Sequence, residues 1–165
     1  MQRSSRYRTG FDIVEMIEAT RWTQTCNSEP LKLRIHDNSI RLRLTRSEVA
    51  RFTTEGRVEA VLKFGPDSSQ RVIYSLEAVP GLTSMSVYGS AEYLRICVPS
   101  AIAQEWTGTD RIAISARQSV DSQEELDILV EKEFRQLHGA KFNPDLYPNP
   151  LESSLAGQGR GKMKV

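Results

Sequence analysis

The stretch KLRIHDNSIRLRL, residues 32–44, decides the fold, because apolar and polar residues alternate on both sides of one short turn. Strict alternation is typical of a β-strand with one buried face. Asp37-Asn38 suits a two-residue turn between antiparallel strands, so the stretch predicts a β-hairpin. The residues that we expect to point into a core are Leu33, Ile35, Ile40, Leu42 and Leu44.

The opposite face of this hairpin carries four cations. A two-residue turn places Arg34 across from Arg41 and Lys32 across from Arg43. Like charges directly opposite each other destabilise a sheet, so we expect an anion nearby. Together with one more arginine that follows the second strand, these residues form the candidate site for DNA or another polyanion: Lys32, Arg34, Arg41, Arg43 and Arg46.

The anion need not be a phosphate, because the chain contains its own carboxylates. Residues 31–77 contain nine Lys/Arg and six Asp/Glu, a net charge of 9 − 6 = +3. Residues 85–131 contain three and eight, a net charge of 3 − 8 = −5. Complementary halves favour neutralisation within the chain, and solvent counterions or nucleic-acid phosphates remain the alternatives.

The chain also contains an internal repeat with an offset of 106 − 52 = 54 residues, which matches Trp106 to Phe52. The apolar pattern is kept without a gap, for example between Val58 and Ile112. Each unit, residues 31–77 and residues 85–131, predicts two strands, a short helix and two strands. The predicted fold class is therefore mainly β with two short helices, in which duplicated ββαββ units close a single barrel and bury both aromatic rings.

The two predicted helices have recognisable ends. In TRSEVARFTTEG, residues 45–56, Thr45 or Ser47 can cap the helix and Gly56 can end it. In PSAIAQEWTG, residues 99–108, Pro99 stands at a position that suits the start of a helix.

The order ββαββ, with LRICVPSAIAQEW running from a strand into a helix, resembles the AbrB/MazE-like family of swapped-hairpin transcription factors and antitoxins. Two chains each supply one unit there, so the resemblance implies a single-chain pseudo-dimer that regulates by binding DNA. Pro99 matches the family's proline before the helix, whereas Thr45 stands at that place in the first unit. Through KLRIHDNSIRLRLTRSEV, DILVEKEF and LYPNP the chain also resembles a family of small bacterial proteins of unknown function, although Gln136 replaces that family's cysteine.

Catalytic and metal-binding motifs are sparse. His36 and Asp37 are adjacent, and adjacent strand residues point to opposite faces, so we predict no catalytic dyad. His138 has no HExxH or CxxC spacing around it. Cys97 alternates with the inward-pointing Ile96 and Val98, so we expect it on the outer face, as a packing or surface residue and not a reactive thiol. We predict no catalytic residue, no cofactor site and no metal ligand, and an enzyme acting at the barrel end is a remote alternative.

The predicted organisation has three parts: an N-terminal extension over residues 1–30 with a short helix near 11–20, a duplicated β-barrel domain over 31–137, and a flexible Pro/Gly-rich tail over 138–165. Two cysteines and the absence of a signal-peptide core or membrane span predict a cytoplasmic protein. The single-chain pseudo-dimer predicts a monomer and not an obligate oligomer. The predicted function is a non-enzymatic binding module, an AbrB-like regulator that binds DNA or another polyanion. The alternative is a scaffold whose protein partner binds the tail or a strand edge.

We expect deletion of residues 1–30 to leave the thermal unfolding midpoint almost unchanged, because the predicted core begins at Leu31. Differential scanning calorimetry of the full and truncated chains measures this. A large drop would show that the extension packs on the domain.

Overall fold

The computed structural model describes residues 31–136 and 142–151, so the predictions for residues 1–30, 138–141 and 152–165 lie outside the described residues. The described chain is mainly β with two helices, as the sequence predicts. In chain order the elements are β1 (Lys32–His36), β2 (Ser39–Leu44), α1 (Arg46–Glu55), β3 (Arg57–Lys63), β4 (Arg71–Val79), β5 (Ser86–Gly89), β6 (Tyr93–Pro99), α2 (Ser100–Gly108), β7 (Ala113–Ser119) and β8 (Glu125–Lys132).

The first hairpin forms with the predicted register: Lys32 faces Arg43, Arg34 faces Arg41, and the turn follows His36. Asp37 takes a positive φ of 48°, a conformation that Asp tolerates better than most residues. On the apolar face, the residues of β2 are buried: Ile40, Leu42 and Leu44.

The prediction for the apolar face of β1 is wrong in part. Leu33 is half-buried, but Ile35 is 63% exposed. β1 is the edge strand of its sheet, and Ile35 lies two residues before the turn, where the core no longer covers it.

The eight strands form two four-stranded sheets instead of one closed barrel. Sheet A has the order β1-β2-β8-β7, and sheet B has the order β3-β4-β6-β5. Each sheet consists of two antiparallel hairpins joined by a parallel ladder, between β2 and β8 in sheet A and between β4 and β6 in sheet B. Each sheet thus combines one hairpin from each half of the chain. The edge strands are β1 and β7 in sheet A and β3 and β5 in sheet B.

One hydrophobic core joins both sheets and both helices. Phe52 of α1 and Trp106 of α2 are 2% and 0% exposed, as predicted. Their ring centroids lie 6.4 Å apart at an interplanar angle of 63°, an edge-on contact that aromatic pairs favour. The two helices therefore meet through corresponding aromatic residues.

The gap-free offset of 54 residues does not hold for every strand. Glu77 of β4 and Glu131 of β8 differ by 54, but their partners Arg57 and Ala113 differ by 113 − 57 = 56. The connection after α2 is longer than the single Gly56 after α1, so β7 is shifted by two residues. Consequently Ile112 is exposed, whereas Ile114 is buried like Val58.

The two helices begin differently. At α1 a capping box forms, in which the backbone N–H of Thr45 donates to Glu48 Oε2 at 2.8 Å and that of Glu48 donates to Thr45 Oγ1 at 3.4 Å. Burial raises the pKa of Glu48 above its ordinary value. Pro99 precedes α2, which has no side-chain cap. Neither helix, within the described chain, has the length and apolar character needed to cross a membrane.

Part of the predicted flexible tail is packed against the sheets and α1. Tyr147 pairs with Phe134 in a short parallel bridge. Asp145 accepts hydrogen bonds from the N–H of Ser47 at 2.8 Å and from its hydroxyl at 2.7 Å. Packed residues therefore occur beyond the predicted domain end at residue 137, within 142–151.

We expect Phe52→Ala or Trp106→Ala to lower the free energy of unfolding by about 3–5 kcal/mol, because each leaves a cavity in the core. Urea denaturation measures the change. Phe142→Ala is the matched control, since that ring is 75% exposed and its loss should change stability by less than about 0.5 kcal/mol. Equal effects at all three positions would contradict the shared core.

Candidate anion-binding face

The surface of sheet A that points away from the core carries mostly polar side chains in three rows, each crossing all four strands. We call it the outer face of sheet A. The strand register places these groups together: Lys32, Arg43, Glu131 and Ala113; Arg34, Arg41, Leu129 and Ser115; His36, Ser39, Asp127 and Arg117.

In the first row, carboxylates from the C-terminal half neutralise the cations. Lys32 Nζ lies 2.5 Å from Glu133 Oε1, and Arg43 Nε lies 2.5 Å from Glu131 Oε1. Both carboxylates are less exposed than the cations that they bind, which makes them poor partners for bulk water. Lys32 and Arg43 are therefore engaged within the chain.

In the second row, Arg34 and Arg41 stand directly opposite each other. Arg41 Nη1 is 3.9 Å from Glu131 Oε1, the same oxygen that already accepts the bond from Arg43. No carboxylate of the described residues forms an ion pair with Arg34. The like-charge pair at the centre of the candidate site is thus only weakly neutralised.

In the third row, His36 and Asp37 are in contact, contrary to the sequence prediction. His36 Nδ1 lies 3.0 Å from Asp37 Oδ2, because Asp37 belongs to the turn and no longer follows the alternation of a strand. Both side chains are largely exposed. The Ser39 hydroxyl donates to the backbone carbonyl of His36 at 2.6 Å, so it is not activated by the imidazole.

At the β7 end of this row, Arg117 is also paired. Its Nε lies 3.0 Å from Asp127 Oδ1, and its Nη1 lies 3.6 Å from Glu125 Oε2. All three side chains are mostly exposed, so these pairs are easily exchanged for other partners.

Two shallow depressions lie on the outer face of sheet A and share Ser39 and Arg41. One, of about 470 Å³, runs across β2, β8 and β7. The other, of about 230 Å³, is lined by Arg34, His36, Ser39 and Arg41. The weakly neutralised arginine pair therefore borders open space in which an anionic group has room.

Arg46, the fifth predicted cation, lies on α1 and not on a strand. Its guanidinium carbon is 5.2 Å from the centroid of the Tyr147 ring, and its backbone N–H donates to the carbonyl of Asp145. The structure does not join it to the arginine pair.

Sequence reasoning missed three residues of this face: Arg117, Glu131 and Glu133. The alternation in EELDILVEKEF does place Glu131 opposite in direction to the buried Val130. Nothing local, however, indicates that β8 lies beside β2.

Cys97 is buried, so of the two predicted alternatives, a packing residue or a surface residue, it is the packing residue. Burial, with a contribution from the nearby Glu77, raises the pKa of its thiol to about 11, so the reactive thiolate is scarce at neutral pH. Among residues 31–136 and 142–151, no cluster of three or more His, Cys, Asp or Glu side chains is arranged to hold a metal ion. His138 lies outside the described residues.

Comparison with known proteins gives a family and no activity. No curated protein and no solved structure matches the chain, so the AbrB-like resemblance stays a prediction. A family model matches residues 31–151, which is most of the chain and includes the packed segment around Tyr147. The chain belongs to this family, DUF7009, a family of unknown function.

Proposed function

We propose that this protein is a non-enzymatic binding module that takes a polyanion, such as duplex DNA, on the outer face of sheet A. The observation that carries the proposal is the Arg34–Arg41 pair, which faces a depression and has one distant, shared carboxylate at 3.9 Å. A phosphate between two opposed guanidinium groups would relieve their repulsion and accept hydrogen bonds from both.

Few of the five predicted cations are available to contact a polyanion. Lys32 and Arg43 would have to leave Glu133 and Glu131, which would uncover poorly hydrated carboxylates. Only Arg34 and Arg41 are therefore counted as contacts with phosphate, and sequence-independent, salt-sensitive binding is the expected mode.

We also infer that the two ββαββ units are diverged copies in a swapped-hairpin arrangement. Exchanging β1–β4 with β5–β8 converts the strand order of sheet A into that of sheet B, which supports this inference. The contact between Phe52 and Trp106 is consistent with it. The protein would then act as a cytoplasmic, monomeric pseudo-dimer with one basic and one acidic half.

A protein-binding scaffold is the second candidate, and the outer face of sheet B favours it. Val61, Ile73 and Tyr93 stand side by side on three strands, and two of them are more than 40% exposed. Tyr88 is exposed on the neighbouring strand, and Arg95 lies over the Tyr93 ring. Aromatic residues and arginine are enriched in protein interfaces.

Titration of a labelled DNA duplex by fluorescence anisotropy at several salt concentrations tests the proposal. Two phosphate contacts predict a slope of log K against log salt of about −2, and Arg41→Ala should flatten it by about one. Arg71→Ala is the matched control, because Arg71 is an exposed cation on sheet B, also opposite a like charge, Lys63.

Glu131→Gln provides a second test, because it releases Arg41 and Arg43 from their shared carboxylate. We expect tighter binding and a steeper slope, about −3, because Arg43 can then reach a third phosphate. No binding by the original protein at tens of micromolar and low salt would remove the nucleic-acid proposal. Equal losses in Arg41→Ala and Arg71→Ala would show that the outer face of sheet A is not the site.

A further inference from the structure

The edge strands on the two sides of the molecule differ in whether a side chain bridges the two sheets. On one side, β5 of sheet B and β7 of sheet A are bridged by the side chain of Gln118. The backbone N–H of Val87 donates to Gln118 Oε1 at 2.5 Å, and Gln118 Nε2 donates to the carbonyl of Val87 at 3.2 Å. One side-chain amide thus satisfies both backbone groups of an edge residue, as a neighbouring strand would.

The corresponding edges on the other side are β1 and β3. Val87 pairs with Ile96 as Leu33 pairs with Leu42, so Leu33 corresponds to Val87. Gln118 pairs with Leu126 in β8, and the matching position in β3 is Leu62, which pairs with Val72. A leucine side chain has no hydrogen-bonding group, so the amide bridge has no counterpart at Leu62.

Within the described residues no strand pairs with the outer edge of β1, so this edge offers backbone groups for pairing. Opposed residues of an antiparallel pair alternate between hydrogen-bonded and non-hydrogen-bonded pairs. Counted from the closing pair His36–Ser39 of the two-residue turn, Leu33 and Ile35 belong to non-hydrogen-bonded pairs. Their N–H and C=O groups therefore point away from β2, toward the edge.

The exposed side chains of β1 and of the end of β3 are apolar and cationic. Ile35, Leu62 and Phe64 are all about 60% exposed. Arg34 and Lys63 are exposed cations, each opposite another cation, and no ion pair joins either of them to a carboxylate of the described residues. The start of β1 lies beside sheet B, because the Tyr74 hydroxyl donates to the carbonyl of Leu31 at 2.7 Å.

We propose that the open edge formed by β1 and β3 binds an extended, acidic peptide segment of a protein partner by strand addition. The partner's backbone takes the place that the Gln118 amide occupies at β5 and β7. Its apolar side chains cover Ile35, Leu62 and Phe64, and its carboxylates face Arg34 and Lys63. Main-chain hydrogen bonds supply affinity and the alternating side chains supply specificity, as in other strand additions.

The probe is a fluorescein-labelled peptide of five Val-Glu repeats, titrated with the full chain at low salt and followed by anisotropy. We expect saturable binding, and we expect Leu62→Gln to weaken it by about tenfold, since the new amide competes for the same backbone groups. Val120→Gln is the matched control: an exposed apolar residue just after β7 also becomes glutamine, and binding should not change.

A second variant, Ile35→Pro, removes an outward N–H from an edge strand, a position where proline is tolerated, and it should also weaken binding. Hydrogen exchange of the free protein should be faster at Leu33 than at Val87, and the peptide should slow it at Leu33.

No binding of the Val-Glu peptide, or equal binding by Leu62→Gln and the original protein, would overturn the proposal. Equal binding of a Val-Lys peptide would overturn the acidic assignment. None of these variants removes a cation from the Arg34–Arg41 pair, so a loss of peptide binding in them can be told apart from a failure of the DNA proposal.

Discussion

Two parallel ladders, between β2 and β8 and between β4 and β6, hold this structure together. Each ladder joins a hairpin from the N-terminal half to a hairpin from the C-terminal half, so neither half forms a four-stranded sheet alone. A two-stranded hairpin is marginally stable in water and needs additional strands or a packed helix. Sheet formation and burial of the shared core therefore require both halves at once.

The same ladders determine the electrostatics of the surface. Because β8 lies parallel to β2, Glu131 stands beside Arg43 and accepts its hydrogen bond at 2.5 Å. On sheet A, carboxylates of the acidic C-terminal half thus pair with Lys32, Arg41 and Arg43 of the basic N-terminal half. Where this strand presents Leu129 in place of a carboxylate, beside Arg41, the Arg34–Arg41 pair stays weakly compensated. The candidate anion site is a consequence of that register.

Local rules predict the parts of this fold that depend on sequence neighbours. Alternation and a two-residue turn gave the register of β1 with β2, and Thr45 caps α1 through the predicted motif. Contacts between distant segments were beyond such rules, because Glu131 lies 88 residues from Arg43 and nothing in either strand specifies its neighbour. The position of Tyr147 also depends on distant segments. Its Pro-rich surroundings predict a flexible tail, but its ring contacts Arg46 of α1 and Lys132 of β8.

The exposure of a side chain on an edge strand depends on whether another layer of the protein covers it. Ile35 of β1 is not covered, which is why its predicted burial in the core is wrong. An alternating pattern states which side chains share a face but not how far the opposing layer extends over that face. At β5 the cover is supplied by one amide, Gln118, whereas the corresponding Leu62 cannot supply it. Among the described residues, this difference leaves the β5 edge bridged to β7 and the β1 edge without such a bridge. The open edge belongs to the same hairpin as the weakly neutralised arginine pair, so both candidate binding surfaces arise from the stretch KLRIHDNSIRLRL.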